Sequence, residues 1–285
     1  MVTPMTNDYK VDEKGLRANI DWQIGKGVAG ICVVGNTGEF STLNKDERRL
    51  VAKVAVDHVK GRVPVIVGTS APTTMEVIEN TKYAEKIGAD AAMIIVPYGA
   101  VPRQSEVIQF FKDVGEAVNI PIMLYNNPGV SAVDVLPETI AEIAKIKNIT
   151  YVKESSGEIR RVKKIQELTG GSLKIFCGCE DLAFESFMLG AIGWICVAGN
   201  AVPAECQQLF DLTMAGKSAE ALKVSKKILP LLEFLEESGK FVQVAKAAAT
   251  KVSPAGGPCR PPRMPLTPAE DKKLVSVLRK MGALK

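Results

Sequence analysis

Short apolar runs alternate with longer amphipathic stretches about eight times along this 285-residue chain, and this alternation limits the possible folds more than any other feature. The runs are continuously apolar and rich in Val and Ile, which is typical of parallel strands covered on both faces. The predicted strands are 31–34, 63–67, 91–96, 120–124, 149–152, 173–176 and 195–197, with a fragment at 1–3.

Helix start and stop signals fall between these runs. Asn44 precedes an acidic turn with Glu47 three residues on, which predicts an N-cap and a capping box. Thr73 or Thr74 can cap a helix that continues through Lys86. Pro137 is expected in the first turn of another helix, over 138–145, and glycines at 170 and 171 end the preceding helical stretch at its C-terminal side.

Eight β-then-α units in about 215 residues match the count and size of a (β/α)8 TIM barrel. A doubly wound open sheet is the alternative, but its glycine-rich turn should follow a strand, whereas the G-x-G-x-x-G at 25–30 comes before the run 31–34, and no G-x-x-x-x-G-K-S/T is present. We therefore predict a barrel catalytic domain over 1–217. The fragment at 1–3 is short for a barrel strand, so either the chain begins inside its first strand or upstream residues are absent.

Residues 218–285 differ from the rest because they contain no further strand candidate. Helices are predicted over 218–237, 240–251 and 268–281, with proline-rich loops between them. We expect this C-terminal three-helix extension to pack on the barrel, where it would brace the fold or form an oligomer contact.

The composition is that of a soluble globular protein, with 46% hydrophobic and 24% charged residues. No run of about 18 apolar residues indicates a membrane span, and the N-terminus resembles no secretion signal, so we expect a cytoplasmic protein with no membrane partner. The net charge is only +4, and its basic clusters sit among acidic residues at helical spacing. Solvated helix faces explain these clusters better than a nucleic-acid surface does.

Metal chemistry is disfavoured by the residue counts. The chain has one histidine, His58, so a site built on several imidazoles cannot form within it. Its six cysteines include no C-x2-C pair, and the single C-x-C at Cys177 and Cys179 is weak support for zinc. We predict inert thiols, no metal and no other cofactor.

Lys153 is the most pointed chemical signal, because it directly follows the apolar run 149–152 and is expected to point into the barrel mouth. One interpretation is a snorkelling lysine or an ion pair with Glu154. The other is a desolvated amine that attacks a ketone and forms a Schiff base. The single histidine makes a metal-dependent aldolase implausible and favours the covalent route.

Two further groups lie just past predicted strands. Asn36, Thr37 and Gly38, within G-N-T-G-E, could hold a carboxylate or phosphate through side chains and amides, although such a turn is often purely structural. Tyr98 and Tyr125 follow two other strands. A phenol there either completes the core edge or relays protons.

Three motifs together resemble a known family: G-N-T-G-E at 35–39, Y-N-N-P at 125–128 and V-K-E-S-S-G at 152–157. They are similar to the G-T-T-G-E, Y-N-x-P and K-D/E-x-S/T-G-D/E signatures of the dihydrodipicolinate synthase / N-acetylneuraminate lyase superfamily. The resemblance implies a class I Schiff-base lyase on a (β/α)8 barrel that acts on a small 2-oxo acid such as pyruvate and forms a homotetramer, a dimer of dimers.

The same resemblance implies a role for each matched residue. Lys153 would form the Schiff base, Tyr125 would shuttle protons, and Thr37 would join the catalytic group. The substrate would be bound by Asn36, Thr37, Gly38, Tyr98 and the backbone of Ile195.

Two departures bear on the substrate. Dihydrodipicolinate synthases usually carry an Arg two residues after the Pro of Y-N-x-P, where this chain has Val130, and a second tyrosine where it has Gly99. We therefore predict a catabolic 2-keto-3-deoxy sugar-acid dehydratase or aldolase, or a 1-pyrroline-4-hydroxy-2-carboxylate deaminase. The alternative is dihydrodipicolinate (4-hydroxy-tetrahydrodipicolinate) synthase, which condenses pyruvate with aspartate semialdehyde. A non-catalytic ligand-binding barrel is the second alternative.

Overall fold

The computed structural model describes residues 1–284, which form two compact units. The terminal unit comprises Met1–Val65 and the chain from Cys196 onward, and the central unit comprises Ile66–Ile195. Seven strands are neighbours in chain order, and each adjacent pair from β2 to β7 is parallel. The strands are β1 (Ile31–Val33), β2 (Val65–Gly68), β3 (Ala91–Ile95), β4 (Ile122–Asn126), β5 (Ile149–Glu154), β6 (Lys174–Cys177) and β7 (Gly193–Trp194).

Helices connect the strands in the predicted βα order. They are α1 (Glu13–Gly25), α2 (Lys45–Val59), α3 (Thr74–Lys86), α4 (Gln104–Ala117), α5 (Pro128–Ser131), α6 (Pro137–Ile143), α7 (Arg160–Thr169), α8 (Ala183–Met188), α9 (Pro203–Met214), α10 (Ser218–Glu237), α11 (Phe241–Val252) and α12 (Pro268–Lys280). The capping predictions at α2 and α3 are confirmed: Asn44 forms a capping box with Glu47, and the Thr73 hydroxyl accepts from the Glu76 amide. Local start signals therefore located the start of α2 to the residue, and for α3 the structure selects Thr73 from the two predicted threonines.

The core of the central unit lies at β3 and β4, where all five residues of each strand are buried. Such strands need apolar side chains on both faces, which explains their continuous hydrophobic runs. The register of the next pair sets Tyr125 of β4 opposite Lys153 of β5. Neighbours in register project from the same face of a sheet, so these two side chains are brought together.

The strand predicted over 195–197 is wrong, because the structure places β7 at Gly193–Trp194. Ile195 still donates its amide to the Cys177 carbonyl at 3.0 Å, and a short 3-10 helix begins at Ala198. The strand was misplaced because its first residue is a glycine, which a hydrophobicity pattern does not recognise as a strand residue. A Cβ at Gly193 would lie 2.4 Å from the Phe176 ring, so this strand position excludes the β-branched residues that mark strands elsewhere.

The fragment at 1–3 is not a regular strand, but it lies beside β1. The Met1 amino group donates to the Cys32 carbonyl, and the Val2 amide donates to Asn200 Oδ1 at 2.8 Å. Two other strands start two residues later than predicted, after Pro64 and Pro121. Proline has no amide hydrogen to give to a ladder, which accounts for both shifts.

The three C-terminal helices are present as α10, α11 and α12, within the terminal unit. The predicted domain boundary between 217 and 218 stays a prediction. No helix within residues 1–284 combines the length and the apolar character that a membrane crossing demands.

Candidate active site

Lys153 lies in β5 of the central unit with only 6% of its surface exposed. Its Nζ is 4.1 Å from the centroid of the Tyr125 ring. Contact with an aromatic face and exclusion of water both act on the amine: the ring attracts its charged form, and burial disfavours that form. The structure thus brings together the predicted nucleophile and the predicted proton shuttle.

Gly178 shapes the space around the Lys153 stem. A Cβ at this position would lie 2.8 Å from Lys153 Cε and 1.8 Å from Ser155 Oγ. The Gly178 amide also donates to the Glu154 carbonyl at 2.8 Å, so its backbone cannot easily retreat. Gly178 was not among the predicted site residues, although a glycine directly after an apolar strand is a signal for close approach.

Tyr125 is nearly buried, and its hydroxyl accepts a hydrogen bond from Asn127 Nδ2 at 2.8 Å. Asn127 also caps α5, because its Oδ1 accepts from the Val130 amide at 3.1 Å. Sequence analysis did not single out Asn127 as a functional residue. An Asn directly before Pro is an N-cap signal, but its contact with a tyrosine two residues earlier depends on the tertiary turn.

Asn126 follows Tyr125 in β4, and Glu154 follows Lys153 in β5; these two residues form the centre of a polar network. Glu154 accepts from Asn126 Nδ2 at 3.1 Å and from the Ser156 amide at 2.7 Å, and Asn126 Nδ2 also lies 3.3 Å from Asp134 Oδ1. Burial raises the pKa of the Glu154 carboxyl. Arg161, hydrogen-bonded through its guanidinium, holds the pKa of Asp134 below its usual value. This network fixes the ends of β4 and β5 to the α5–α6 segment.

The G-N-T-G-E loop belongs to the terminal unit. It follows Val34, whose φ of 58° is unusual and strained for a β-branched residue. Thr37 and Gly38 are buried and Asn36 is half-buried. The Asn36 carbonyl accepts from the Glu39 amide at 2.9 Å, which closes a tight turn around Thr37 and Gly38.

Glu39 anchors this loop to the C-terminal helices. Its Oε1 accepts from Lys246 Nζ at 2.7 Å, and its Oε2 accepts from the Arg260 amide at 3.0 Å. Lys246 also donates to the Pro258 carbonyl at 2.6 Å. Burial lowers the pKa of Lys246, and the Glu39 carboxylate opposes that effect. Glu39 is therefore tied into the fold, which gives the last residue of this signature a structural role.

The remaining predicted residues have defined places in the central unit. Tyr98 is half-buried in the loop after β3, and Ile195 follows β7 with its amide bonded to the β6 end. Among residues 1–284, no group of three His, Cys, Asp or Glu side chains is arranged to hold a metal ion. Cys177, beside the Lys153 strand, is buried, and burial raises its pKa to about 12.

Comparison with known proteins decides the family. The model of the dihydrodipicolinate synthetase family matches residues 1–281. The chain belongs to this family. It is therefore a class I Schiff-base lyase with the (β/α)8-barrel fold and C-terminal helices, and the predicted superfamily, enzyme class and fold class are confirmed.

Members of the dihydrodipicolinate synthetase family resemble the chain over its full length. The 4-hydroxy-tetrahydrodipicolinate synthase of Geotalea uraniireducens is 38% identical, and the match covers 100% of this chain and 97% of that protein. A chloride-inhibited dihydrodipicolinate synthase from Acinetobacter baumannii, solved with pyruvate, is 33% identical with a TM-score of 0.93, covering 100% of this chain and 97% of that one. YagE, a prophage protein of the family from E. coli K12 solved in complex with pyruvate, is 30% identical with a TM-score of 0.94, covering 99% and 96%.

Proposed function

We propose that Lys153 forms a Schiff base with pyruvate. The observation that carries the proposal is the nearly buried Lys153 amine, 4.1 Å from the Tyr125 ring centroid at the end of two paired strands. A neutral amine adds its electron pair to the keto carbon, and the resulting carbinolamine loses water to give an iminium. The iminium then draws electrons from the C3–H bond, so that loss of a C3 proton yields an enamine.

Tyr125 is proposed as the general acid and base of these steps. Its hydroxyl can give a proton to the departing water and take one back, and its burial keeps bulk water from competing. Thr37 is proposed as the third member of the catalytic group, after Lys153 and Tyr125. Asn36, Thr37 and Gly38 are proposed to bind the pyruvate carboxylate, with Tyr98 and the Ile195 backbone lining the site.

For the second half of the reaction we propose condensation of the enamine with aspartate semialdehyde, the 4-hydroxy-tetrahydrodipicolinate synthase reaction. Full-length relatives that carry this name at 35–38% identity support it. In this step enamine C3 attacks the aldehyde carbon to form a C–C bond, and the aldehyde oxygen takes up a proton. Hydrolysis or cyclisation of the iminium then releases Lys153.

Val130 favours a second candidate, a catabolic dehydratase, aldolase or deaminase. It stands where the resemblance leads us to expect an arginine for the aldehyde's carboxylate, and its amide is already used in the α5 cap. A 2-oxo acid that carries its own leaving group needs no second carboxylate-binding guanidinium. The same iminium would then lower the barrier to losing water, an amine or a C–C bond.

A two-part experiment tests these proposals. Incubation with pyruvate and borohydride, followed by peptide mass mapping, should place the reduced adduct on Lys153. Rates of condensation with aspartate semialdehyde are then compared with rates of turnover of 2-keto-3-deoxy sugar acids and 1-pyrroline-4-hydroxy-2-carboxylate. Adduct formation with turnover only of the second group would replace the condensation proposal, and an adduct on another residue would overturn the role of Lys153.

Three further proposals concern the cofactor, the location and the assembly of the protein. The reaction as written needs no metal or nucleotide, the protein is proposed to be cytoplasmic, and a dimer of dimers is expected. Light scattering on the purified chain measures the subunit count directly, and activity after exhaustive chelation tests the independence from metal.

A further inference from the structure

Asn127 reaches both the Tyr125 hydroxyl and the first turn of α5, and the second contact fixes the direction of the first. The Val130 amide can only donate, so the atom of Asn127 that faces it at 3.1 Å must be the oxygen Oδ1. The Nδ2 group then faces Tyr125, where it lies 2.8 Å from the hydroxyl oxygen. The helix cap thereby determines which end of the amide meets the phenol.

This orientation restricts the phenol's own proton. An Nδ2 group has two hydrogens and no acceptor, so the Tyr125 oxygen must accept from it. The hydroxyl hydrogen then has to point elsewhere and cannot be lost into the bond with Asn127. After the phenol has given its proton away, the same N–H remains a donor to the oxygen.

The restraint also bears on the lysine. Tyr125 and Lys153 are partners in register, and the Lys153 amine lies over the Tyr125 ring. The hydrogen bond to the Tyr125 oxygen and the packing of its ring against the amine both restrict movement of the phenol relative to Lys153. Small losses of such alignment reduce rates strongly.

We propose that Asn127 is a positioning residue for proton transfer, which directs the Tyr125 hydroxyl hydrogen toward the substrate on Lys153. The proposal rests on the proposed function of Lys153 and Tyr125. It assigns Asn127 two separable tasks, a cap at α5 and a donor to the phenol.

Two substitutions separate these tasks. Asn127→Ser and Asn127→Asp both keep a side-chain oxygen that can cap α5. Neither presents an amide N–H to the phenol, and at neutral pH the carboxylate of Asn127→Asp would accept the hydroxyl hydrogen instead. Asn44→Asp is the matched control, because Asn44 caps α2 through the same side-chain bond and lies outside the site.

The measurement is exchange of the pyruvate methyl hydrogens in D2O, followed by NMR on the full chain. We expect both Asn127 variants to lose about 10- to 100-fold in kcat for exchange, with KM for pyruvate within about threefold of wild type. Their melting temperatures and that of the control should stay close to wild type. Asn127→Asp should also recover exchange, relative to wild type, as the pH falls toward about 4, because a protonated carboxyl can donate as the amide does.

The outcomes are distinguishable. Wild-type exchange rates in both variants would overturn the role of Asn127 while leaving the Lys153 proposal intact. A constant ratio of Asn127→Asp to wild-type rates across pH would overturn the directed-proton argument. Absence of any borohydride-trapped adduct on wild-type Lys153 would overturn this inference together with the proposed function.

Discussion

Two lysines of this chain are almost completely removed from water, and the structure surrounds them differently. Lys246 is 1% exposed, and its amine donates to the Glu39 carboxylate at 2.7 Å and to the Pro258 carbonyl at 2.6 Å. Lys153 is 6% exposed, and its amine lies over the face of Tyr125. Burial is common to both lysines; Lys246 donates to a carboxylate, and Lys153 packs against an aromatic face.

This difference agrees with the roles that we propose, a structural charge for Lys246 and a nucleophile for Lys153. A carboxylate at 2.7 Å holds the Lys246 proton in place and compensates for the loss of water, so that the pair ties the G-N-T-G-E loop to α11. An aromatic face attracts a cation but does not itself accept the ammonium proton as a carboxylate does. Burial therefore identifies lysines that are candidates for the nucleophile, and the groups beside each amine indicate which candidate to test.

The largest expected effect is on catalysis. Lys153→Met keeps an unbranched chain of similar length and removes the amine, so turnover should fall by about 10⁴-fold or more. The loss should appear in kcat and in borohydride trapping, while the circular dichroism spectrum stays unchanged. Turnover close to wild type in the folded variant would show that Lys153 is not the nucleophile.

The reciprocal substitution should affect stability. Lys246→Met leaves Glu39 buried without its lysine and should cost about 3–5 kcal/mol in the free energy of unfolding. Urea titration measures the loss, and trapping of pyruvate on Lys153 should persist below the new midpoint. The double variant Glu39→Gln with Lys246→Met should recover part of this energy, and no recovery would argue against the ion pair as its source.

Gly178→Ala sharpens the comparison at the Lys153 stem. The added Cβ would sit 2.8 Å from Lys153 Cε, so the amine must shift, and the rate of imine formation should fall by about 10²-fold. Gly25→Ala is the control, because its Cβ meets no atom within 4 Å at the end of α1. Stopped-flow trapping of pyruvate compares the two, and equal rates would mean that the stem tolerates the contact.

Glu154 contrasts with Glu39 as a buried carboxylate held by amides. Because burial raises its folded pKa above the unfolded value, its contribution to stability is fully present below the unfolded pKa and is lost as the pH rises through the folded pKa. Glu154→Gln cannot ionise and should escape this loss. The stability of the variant relative to wild type, from urea titrations, should therefore be higher at pH 7.5 than at pH 4.5, and an equal difference at both values would contradict the argument.

The smallest expected effect is on two thiols that report on the two lysine environments. Burial raises the pKa of Cys177 to about 12 and that of Cys259 to about 11, and each thiol interacts electrostatically with its lysine, Lys153 and Lys246 respectively. Iodoacetamide at pH 8 should therefore leave both unmodified in the native protein and modify both after denaturation. Peptide mapping identifies the sites, and rapid native labelling of Cys259 would show that the Lys246 environment is more open than the structure has it.

Much of the fold could be predicted because its signals are local. The capping box at Asn44 and the long apolar run of β3 depend only on neighbouring residues, and both appeared where expected. The last strand was misplaced because the residue that defines it, Gly193, is selected by the Phe176 ring of another strand. No pattern within a short window contains that information.

Some residues of the candidate site could be predicted from the sequence, and others could not. Lys153, Tyr125 and Thr37 stand out in sequence through their position after apolar strands and through their motifs, whereas Gly178 and Asn127 do not. Asn127 depends on a hydrogen bond to the Tyr125 hydroxyl at 2.8 Å, and Gly178 on the space that the Lys153 stem occupies, which a Cβ would enter to within 2.8 Å of Cε. The sequence alone determined the order of strands and helices and the residue types at their ends, because hydrophobic period and capping act over a few residues. Which buried lysine meets a carboxylate and which meets a tyrosine was decided only by the tertiary structure, because pairing between distant segments sets the surroundings of a buried amine.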